Sequence, residues 1–338
     1  MLNVFASDAF SVVSLTRAIQ AVPYQPQLLG QLGIFDPQPI STDTAAIEKL
    51  GNTLGLVQTS PRGSPPNRIA EDKRTVRNVA TVRLATGERI YASQVNGVRA
   101  FGQESAVETM QSYAMRRMGR LRANIEATME NLRLGAVKGI VYDADGTTVI
   151  QNWFTFWGIS APADINFALG TSTTDVNGKC TAVIRAMQAN GEGAFLPSTR
   201  VLGLCGNAFW DSLISHPNVE KWFLNRPAAD TYLAGTAYQA FSFGGIDFVN
   251  YRGTDDGTTI AGIATDEVRF VPVGASDCFQ MAYSPMAESE FFVNTMGLPL
   301  YALQVPDRDR GFWTDLEVYS YPLPIVTRPK MLQKGTRT

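Results

Sequence analysis

The sequence predicts an α+β fold in which one very long helix lies between β-rich segments. Residues 105–134 place apolar side chains every three or four positions, which is the repeat of a helix with one buried face. Elsewhere, short runs of β-forming residues alternate with turns rich in Gly, Pro and Asn. Residues 1–99 form extended segments without a core of their own, and an isolated two-stranded ribbon is only marginally stable in water. We therefore expect a globular body with extended segments that dock on another surface.

The composition argues against several classes of protein. With 338 residues, 45% of them hydrophobic, the chain can bury a substantial core, and its net charge of −2 argues against a general nucleic-acid binder. Cys180, Cys205 and Cys278 are far apart without a CxxC motif, which fits a reducing compartment and opposes a disulfide framework or zinc site. The sequence shows neither a signal-peptide pattern nor a membrane-spanning run, so we expect a cytosol-made protein without a membrane partner.

The chain begins with an acidic arm and a basic hairpin. In the arm, "SDAFSVVSLTRAIQAV" predicts a short amphipathic helix, and "FDPQPISTD" predicts an extended stretch. The hairpin and its return, residues 53–99, enter with "TLGLVQT", turn at "SPRGSPPNR" and return along the alternating "TVRNVATVRL". Tyr91 is the only aromatic residue between 62 and 99, so the basic residues lack the stacking partners typical of nucleic-acid binders.

We predict that basic side chains of the hairpin and of the long helix contact carboxylates of another copy of the chain. Arginine suits this role because its planar guanidinium forms bidentate ion pairs at interfaces. The alternative, that these side chains face water, stays open. The candidate inter-subunit contacts are Arg62, Arg68, Lys73, Arg74, Arg77, Arg83, Arg116, Arg117 and Arg120.

The long helix has clear start and stop signals. Ser105 and Glu108 form an S-x-x-E capping box, and Gly135 and Gly139 supply the stop. At the rise of an α-helix, residues 105–134 span about 45 Å. The predicted buried stripe consists of Val107, Met110, Ala114, Met118, Leu121, Ile125, Met129 and Leu132.

The remaining sequence predicts a mixed α/β block. Asp145-Gly146 predicts a hairpin turn, residues 178–189 a second helix, and residues 200–205 a strand followed by a helix that Asn207 caps. Further predicted strands are the "AFSF" and "IDFVN" pair joined by Gly244-Gly245, "EVRFVPV", and the final "DLEVYSYPLPIVT", in which Pro322 and Pro324 indicate an edge strand or a strand end.

No catalytic, cofactor-binding or metal-binding motif emerges, so we predict that the protein is not an enzyme and has no cofactor. His216 is the only histidine, and its place in "SHPN", a predicted turn between helices, favours a structural role. "DADG" at 143–146 lacks the Gly and Glu that a calcium loop needs at its sixth and twelfth positions. "GLCGN" at 203–207 matches no phosphate-loop pattern, and "DRDRG" at 307–311 is a charged turn.

The order of these segments resembles the major capsid proteins of tailed bacteriophages, which share the Hong Kong 97 type fold. More narrowly, it resembles the lambda-like group called major capsid protein E, over nearly the whole chain. The stretches that carry the resemblance are "VPYQPQLLGQLGIF", "RIYASQVNGVRAFG", "YAMRRMGRLRANIEATMENLRLGAVKG", "GIVYDADGTTV" and "STRVLGLCGNAFWDSLISHPNVEKW".

The resemblance implies a division of the chain into five parts. They are an N-terminal arm (1–53), an extended loop with its return strand (54–99), a peripheral domain with the long helix as its spine (100–192), an axial domain (193–310) and a C-terminal return to the peripheral domain (311–338). In this family the extended loop lies across a neighbouring subunit, and axial domains gather at the centres of hexamers and pentamers.

The resemblance also implies a structural function. The chain would self-assemble into hexamers and pentamers of an icosahedral head that encloses double-stranded phage DNA, so that its location is the virion capsid after assembly in the host cytoplasm. Expected partners are a scaffolding protein, a portal and, in some relatives, a decoration protein. Lys73 is the only lysine in the hairpin, and we expect no covalent cross-link of the kind that the founding member of the fold forms.

Two alternatives stay open at the level of the sequence. An encapsulin-like bacterial nanocompartment shell protein shares the fold and would enclose enzyme cargo, which a neighbouring cargo gene would indicate. A soluble α/β enzyme is opposed by the single histidine and the missing motifs, and a monomer with a deep polar pocket would favour it.

Overall fold

A computed structural model describes residues 28–50, 74–95, 110–224, 241–251 and 262–338. The predicted helix of the arm, the entering strand and tip of the hairpin, and the capping box of the long helix lie outside these ranges. Within them the chain mixes helices and sheets, which confirms the mixed character predicted from the sequence.

The helices differ greatly in length. Among the described residues they are α1 (Leu28–Gln31), α2 (Ala92–Val95), α3 (Met110–Lys138), α4 (Trp153–Trp157), α5 (Val176–Ala189), α6 (Asn207–Ile214) and α7 (Pro217–Leu224), with 3₁₀ turns at Glu290–Phe292 and Pro329–Met331. The 29 residues of α3 make it the dominant helix of the described chain, as the apolar repeat predicts.

The strands are short and spread over the whole chain. They are β1 (Asp36–Pro39), β2 (Thr44–Leu50), β3 (Arg74–Ala80), β4 (Leu84–Tyr91), β5 (Ile140–Tyr142), β6 (Val149–Asn152), β7 (Ile165–Asn166), β8 (Arg200–Cys205), β9 (Phe241–Phe243), β10 (Ile246–Asn250), β11 (Glu267–Val273), β12 (Phe279–Tyr283), β13 (Tyr301–Pro306), β14 (Trp313–Ser320), β15 (Pro322–Val326) and β16 (Gln333–Thr336).

These strands form three sheets and two ribbons. One three-stranded sheet has the order β1-β12-β15, a second has β13-β14-β4, and the largest has β7-β16-β11-β8-β10-β9. The ribbons are β2-β3 and β5-β6. Pro322 and Pro324 lie in β15, at an edge of its sheet, as expected for residues that lack a backbone N–H.

Helix α3 joins the two three-stranded sheets into one core. It packs against β4, β14 and β15, and Met118, Ile125 and Leu132 of the predicted stripe are buried there. The predicted stop at Gly135 is wrong, because the helix continues to Lys138 and ends at Gly139, which has φ +84°. Gly135 instead permits close packing, since a Cβ there would lie 2.9 Å from Val141 Cα.

The hairpin differs from its prediction at both strands. Thr44–Leu50, assigned to the arm, is the strand β2 that pairs with β3 in antiparallel register, from Thr44 opposite Ala80 to Leu50 opposite Arg74. The predicted return strand is not continuous: it breaks at residues 81–83, and β4 then pairs with β14 in another sheet. An alternating pattern cannot reveal such a change of partner, because both strands keep the same period of two.

The six-stranded sheet has its own aromatic core. Phe167, Phe209, Phe248 and Phe270 are fully buried there, together with side chains of α5 and α6. The cap of α6 is Gly206 and not Asn207, as predicted, and a Cβ at Gly206 would lie 2.1 Å from the carbonyl O of Ala264.

The division into five parts stays a prediction. The sheets combine strands from more than one of these parts. The six-stranded sheet takes β7 and β16 from outside residues 193–310, the predicted axial domain. Conversely, β13 falls inside that range but pairs with β14 of the C-terminal segment. The chain therefore crosses between the two cores more often than a linear division suggests.

Candidate assembly interface

The base of the hairpin is fixed to the body by a chain of hydroxyl contacts. Ser284 is buried and its Oγ donates to the carbonyl O of Thr42 at 2.8 Å. Thr81 Oγ1 donates to Ser284 Oγ at 2.9 Å, and the Thr81 amide donates to the carbonyl O of Asp43 at 3.1 Å. Both strands of the ribbon therefore start from one anchored point.

A groove with a volume of 660 Å³ lies beneath the hairpin base. Ala45 and Ile47 of β2 line one side, and residues of the sheet β1-β12-β15, such as Gln280 and Ile325, line the other. A cavity of 180 Å³ adjoins the groove, since both share Trp157 and Arg328 in their walls. The walls of the groove are mixed, with the charged side chains of Glu192, Asp277 and Arg328 beside the apolar ones.

Arg77, a candidate contact residue, lies at the rim of this region. Its guanidinium carbon is 5.5 Å from the ring centroid of Phe156 and 5.9 Å from that of Trp157. These distances are in the range of cation–π interactions. The side chain is exposed, so it can stack on the rings and still meet a carboxylate from outside.

Arg83 has partners within its own chain. Its Nε lies 3.0 Å from Glu288 Oε1, and its guanidinium carbon is 5.1 Å from the ring centroid of Tyr319. The hydrogen bond with Tyr321, with support from Glu288, raises the pKa of Arg83. Because its side chain is half exposed, the ion pair contributes little to stability and mainly orients the connection between β12 and β13.

The candidate arginines of α3 differ in how exposed their side chains are. Arg117 Nη1 lies 2.8 Å from Glu88 Oε1 of β4, and its hydrogen bond with Tyr113 Oη raises its pKa. Arg116 is exposed, with its guanidinium carbon 5.4 Å from the ring centroid of Tyr113. Arg120 is also exposed and makes no ion pair with another described residue. Arg116 and Arg120 are therefore more accessible to another chain than Arg117.

The other candidates cannot be assigned a contact. Arg62, Arg68 and Lys73 lie outside the described residues, and Arg74 is placed only as the first residue of β3. The prediction that the whole set forms inter-subunit contacts therefore stays a prediction.

A buried carboxylate that the sequence analysis missed attaches α1, which lies within the predicted arm, to the long helix. Glu130 is fully buried, and its two oxygens accept the amides of Leu29 at 2.7 Å and Gly30 at 3.1 Å. Tyr251 Oη donates to Glu130 Oε1 at 3.3 Å, and Arg133 Nη1 lies 3.3 Å from Oε2. Glu130 is not part of the predicted apolar stripe, and its burial follows from the docking of α1 and Tyr251 against this side of the helix.

The residues considered for catalysis have structural roles. His216 is buried, with Nε2 3.1 Å from the carbonyl O of Thr171 and Nδ1 accepting the Asn218 amide at 3.2 Å. Asp145 Oδ1 accepts the amides of Thr147 and Thr148, both at 2.9 Å, as expected for a hairpin turn. The Thr148 hydroxyl, which donates to Asp145 Oδ2 at 2.6 Å, and these two amides hold the pKa of Asp145 well below its usual value.

The segments "GLCGN" at 203–207 and "DRDRG" at 307–311 also have structural roles, as a strand-to-helix turn and a charged turn. The first amides of α6 are occupied, since Ala208 N donates to Thr265 Oγ1 at 3.2 Å and Phe209 N to the Thr265 carbonyl O at 2.9 Å. Asp307 accepts the amides of Phe312, Asp309 and Arg310, which lowers its pKa.

Within the described ranges there is no cluster of His, Cys, Asp and Glu suited to a metal ion. The helices seen there are also too short or too polar to cross a bilayer.

The chain is similar to known capsid proteins over nearly its full length. It is 26% identical to the major capsid protein of Pseudomonas phage KPP10, over 96% of each chain. It is 25% identical to that of Salmonella phage Felix O1, over 98% of this chain and 97% of the relative.

Solved capsid structures share the fold at low sequence identity. A crystal structure assigned to the capsid protein of an E. coli CFT073 prophage matches with a TM-score of 0.59 at 16% identity, over 97% of this chain and 99% of the other. The capsid of an empty GTA particle matches with a TM-score of 0.52 at 9% identity, over 100% of both chains. The model of the family described as phage major capsid protein E matches residues 11–337, and the chain therefore belongs to that family.

Proposed function

We propose that this phage major capsid protein has the Hong Kong 97 type fold and self-assembles into the hexamers and pentamers of an icosahedral head around double-stranded DNA. The observation that carries the proposal is the match of fold with capsid structures over 97% of the chain or more. On this proposal the chain is a building block without catalytic activity, and its location is the virion capsid.

The hairpin base supports the proposal from the physical side. The ribbon β2-β3 is anchored at residues 42 and 81–84, while Val76 on its surface is 52% exposed. A two-stranded ribbon with exposed apolar side chains gains stability when a second surface covers it. A neighbouring subunit supplies such a surface repeatedly in a closed symmetric assembly.

The proposed partners follow from a shell of this kind. Copies of the chain form the capsomers, a scaffolding protein and a portal act during assembly, and DNA fills the interior. The acidic net charge of the chain favours weak, salt-dependent contacts with DNA over a dedicated binding site. The likeness to phage proteins gives no support to a nanocompartment that encloses enzyme cargo.

Electron microscopy of the purified chain tests the proposal directly. Negative-stain images are recorded for the chain alone and after co-expression with its upstream neighbour gene, the expected source of a scaffolding protein. Shells, tubes or capsomer-like rings are the expected result. A dispersed monomer under both conditions would contradict the proposal and direct attention to the groove beneath the hairpin base.

A deletion tests the proposed extended loop separately. Removing residues 60–72 should leave a folded subunit with wild-type thermal stability and sharply reduced particle yield, because this Pro- and Gly-rich tip contributes to contacts between copies. The matched control shortens the exposed β5-β6 turn, residues 143–148, and should assemble normally. Normal particles from the deletion would contradict the assignment of the loop and leave the capsid function intact.

A further inference from the structure

Two exposed apolar patches lie at opposite ends of the sheet β13-β14-β4. The loop patch consists of Phe291, Val293 and Met296, which are 59%, 48% and 56% exposed and precede β13. The tip patch consists of Tyr91, Val305 and Phe312, which are 43%, 44% and 60% exposed and surround the β13-β14 turn. Single exposed apolar side chains are common, but groups of large ones on one short segment mark interaction sites.

The body holds the loop patch in a fixed position. Phe292 is buried between two exposed patch residues, with its ring centroid 4.8 Å from that of Tyr301. Tyr301 Oη accepts the Leu298 amide at 2.7 Å, and Glu288 bonds to both Arg83 and the hydroxyl of Tyr321. Because the segment is already ordered, docking on it loses little conformational entropy.

The tip patch is held just as firmly. Arg89 forms a bidentate ion pair with Asp315, at 2.7 and 2.8 Å, and its guanidinium carbon lies 3.9 Å from the Trp313 ring centroid. The Ala92 amide donates to the carbonyl O of Phe312 at 2.9 Å, and Asp307 Oδ2 accepts the Phe312 amide at 3.2 Å. The turn therefore presents the Phe312 side chain to solvent from a rigid frame.

The strand register separates the two patches. Tyr301 pairs with Tyr319 at the end near the loop patch, and Pro306 pairs with Thr314 at the end near the tip patch. Five residue steps along a strand correspond to about 17 Å. One rigid sheet cannot bring its own two ends together, so contact between the patches requires two copies.

We propose that the loop patch of one copy docks on the tip patch of the next. This inference rests on the proposed capsid function and names one contact of the capsomer. Exposed charges beside the patches can form ion pairs across this contact: Glu290 adjoins the loop patch, and Arg308 and Arg310 adjoin the tip patch, next to the carboxylates of Asp307 and Asp309. A head-to-tail contact between unlike surfaces generates a ring when the rotation between copies closes.

Cysteine cross-linking tests this contact in assembled particles. The native thiols do not interfere, because Cys180, Cys205 and Cys278 are buried, and burial raises the pKa of Cys180 and Cys278 to about 12. Particles of the double variant Phe291→Cys/Phe312→Cys are treated with a short bis-maleimide and analysed on denaturing gels. The controls are each single variant and the pair Val149→Cys/Phe312→Cys, which places a cysteine on the unrelated β5-β6 ribbon at similar exposure.

The expected result is a ladder of dimers and higher oligomers from the double variant only. A dimer from either single variant would mean that a patch contacts its own equivalent, which overturns the head-to-tail contact. Wild-type shells whose double variant yields only monomers would overturn the contact while leaving the proposed function standing. Failure of the wild-type chain to assemble at all would instead overturn the proposed function and this inference with it.

Discussion

The two larger cores formed by the described residues are stabilised by different means. Around α3, buried charges lie among the apolar side chains: Glu130 is fully buried, and the buried Arg122 and Glu126 are joined by an ion pair of 2.6 Å. In the six-stranded sheet the buried centre is aromatic, with the Phe270 ring centroid 5.7 Å from that of Phe167 and 6.1 Å from that of Phe248.

The two cores differ in this way because they join different kinds of element. The aromatic core joins α5, α6 and one sheet, for which non-directional burial of apolar area is sufficient. The core around α3 also receives the start of the described chain, α1, whose free backbone amides need a directional acceptor. The fully buried carboxylate of Glu130 therefore lies where α1 attaches to the body.

The largest effect is expected from a charge placed in the stripe of α3. Ile125→Asp puts an unpaired carboxylate at a position that is 3% exposed, at a cost of about 5 kcal/mol or more, and should prevent stable folding. Circular dichroism with thermal melting measures the loss. The matched control Asn124→Asp introduces the same carboxylate at the adjacent exposed position and should melt like the wild type. A wild-type melting temperature for Ile125→Asp would show that the stripe does not stabilise the subunit.

A truncation in the aromatic core should have the next largest effect. Phe270→Ala leaves a cavity between two buried rings and should lower the free energy of unfolding by about 3–5 kcal/mol, as measured by urea denaturation. Phe270→Leu keeps part of the volume and should lose less than half as much. Equal losses for the two variants would mean that the aromatic contact itself, and not the filled volume, supports this core.

The sequence predicted the elements that depend on a local repeat. The stripe from Ala114 to Leu132 is buried, β14 alternates strictly between buried and half-buried side chains, and the turn at Asp145 forms as expected. Such patterns follow from helix and strand geometry within one segment, so the sequence alone can reveal them.

The missed features depend on residues far apart in the chain. The break at residues 81–83 arises because β3 and β4 take partners in different sheets, β2 and β14. Glu130 is buried because α1, about a hundred positions earlier in the chain, places two amides against it. For the candidate interface, the sequence predicted contacts between copies, but it could not show that Arg83 and Arg117 have ionic partners within the chain.

An intermediate effect is expected where the buried charge holds α1. Glu130→Ala leaves the Leu29 and Gly30 amides and Arg133 without their acceptor, which should lower the free energy of unfolding by about 2–3 kcal/mol. Hydrogen exchange at the two amides should accelerate by about tenfold or more. The control Glu126→Gln alters the other buried carboxylate of the same helix and should leave these two amides protected. Unchanged exchange in Glu130→Ala would contradict the role of Glu130 in attaching α1.

The smallest effects on stability, and the sharpest separation of folding from assembly, are expected at the arginines of α3. Arg117→Ala breaks a partly exposed ion pair with Glu88 and should lower the free energy of unfolding by about 1 kcal/mol or less.

Arg120→Ala removes an exposed side chain without a described ionic partner, so the melting temperature of this variant should stay at the wild-type value. If Arg120 contacts a carboxylate of another copy, its variant should nevertheless give fewer particles, and the deficit should shrink at high salt because screening already weakens that contact in the wild type. Particle yield and melting temperature, measured together, show whether Arg120 contacts another copy or faces water. A normal yield for Arg120→Ala would mean that this arginine faces water, and Arg116 would then be the exposed candidate contact on the described part of α3.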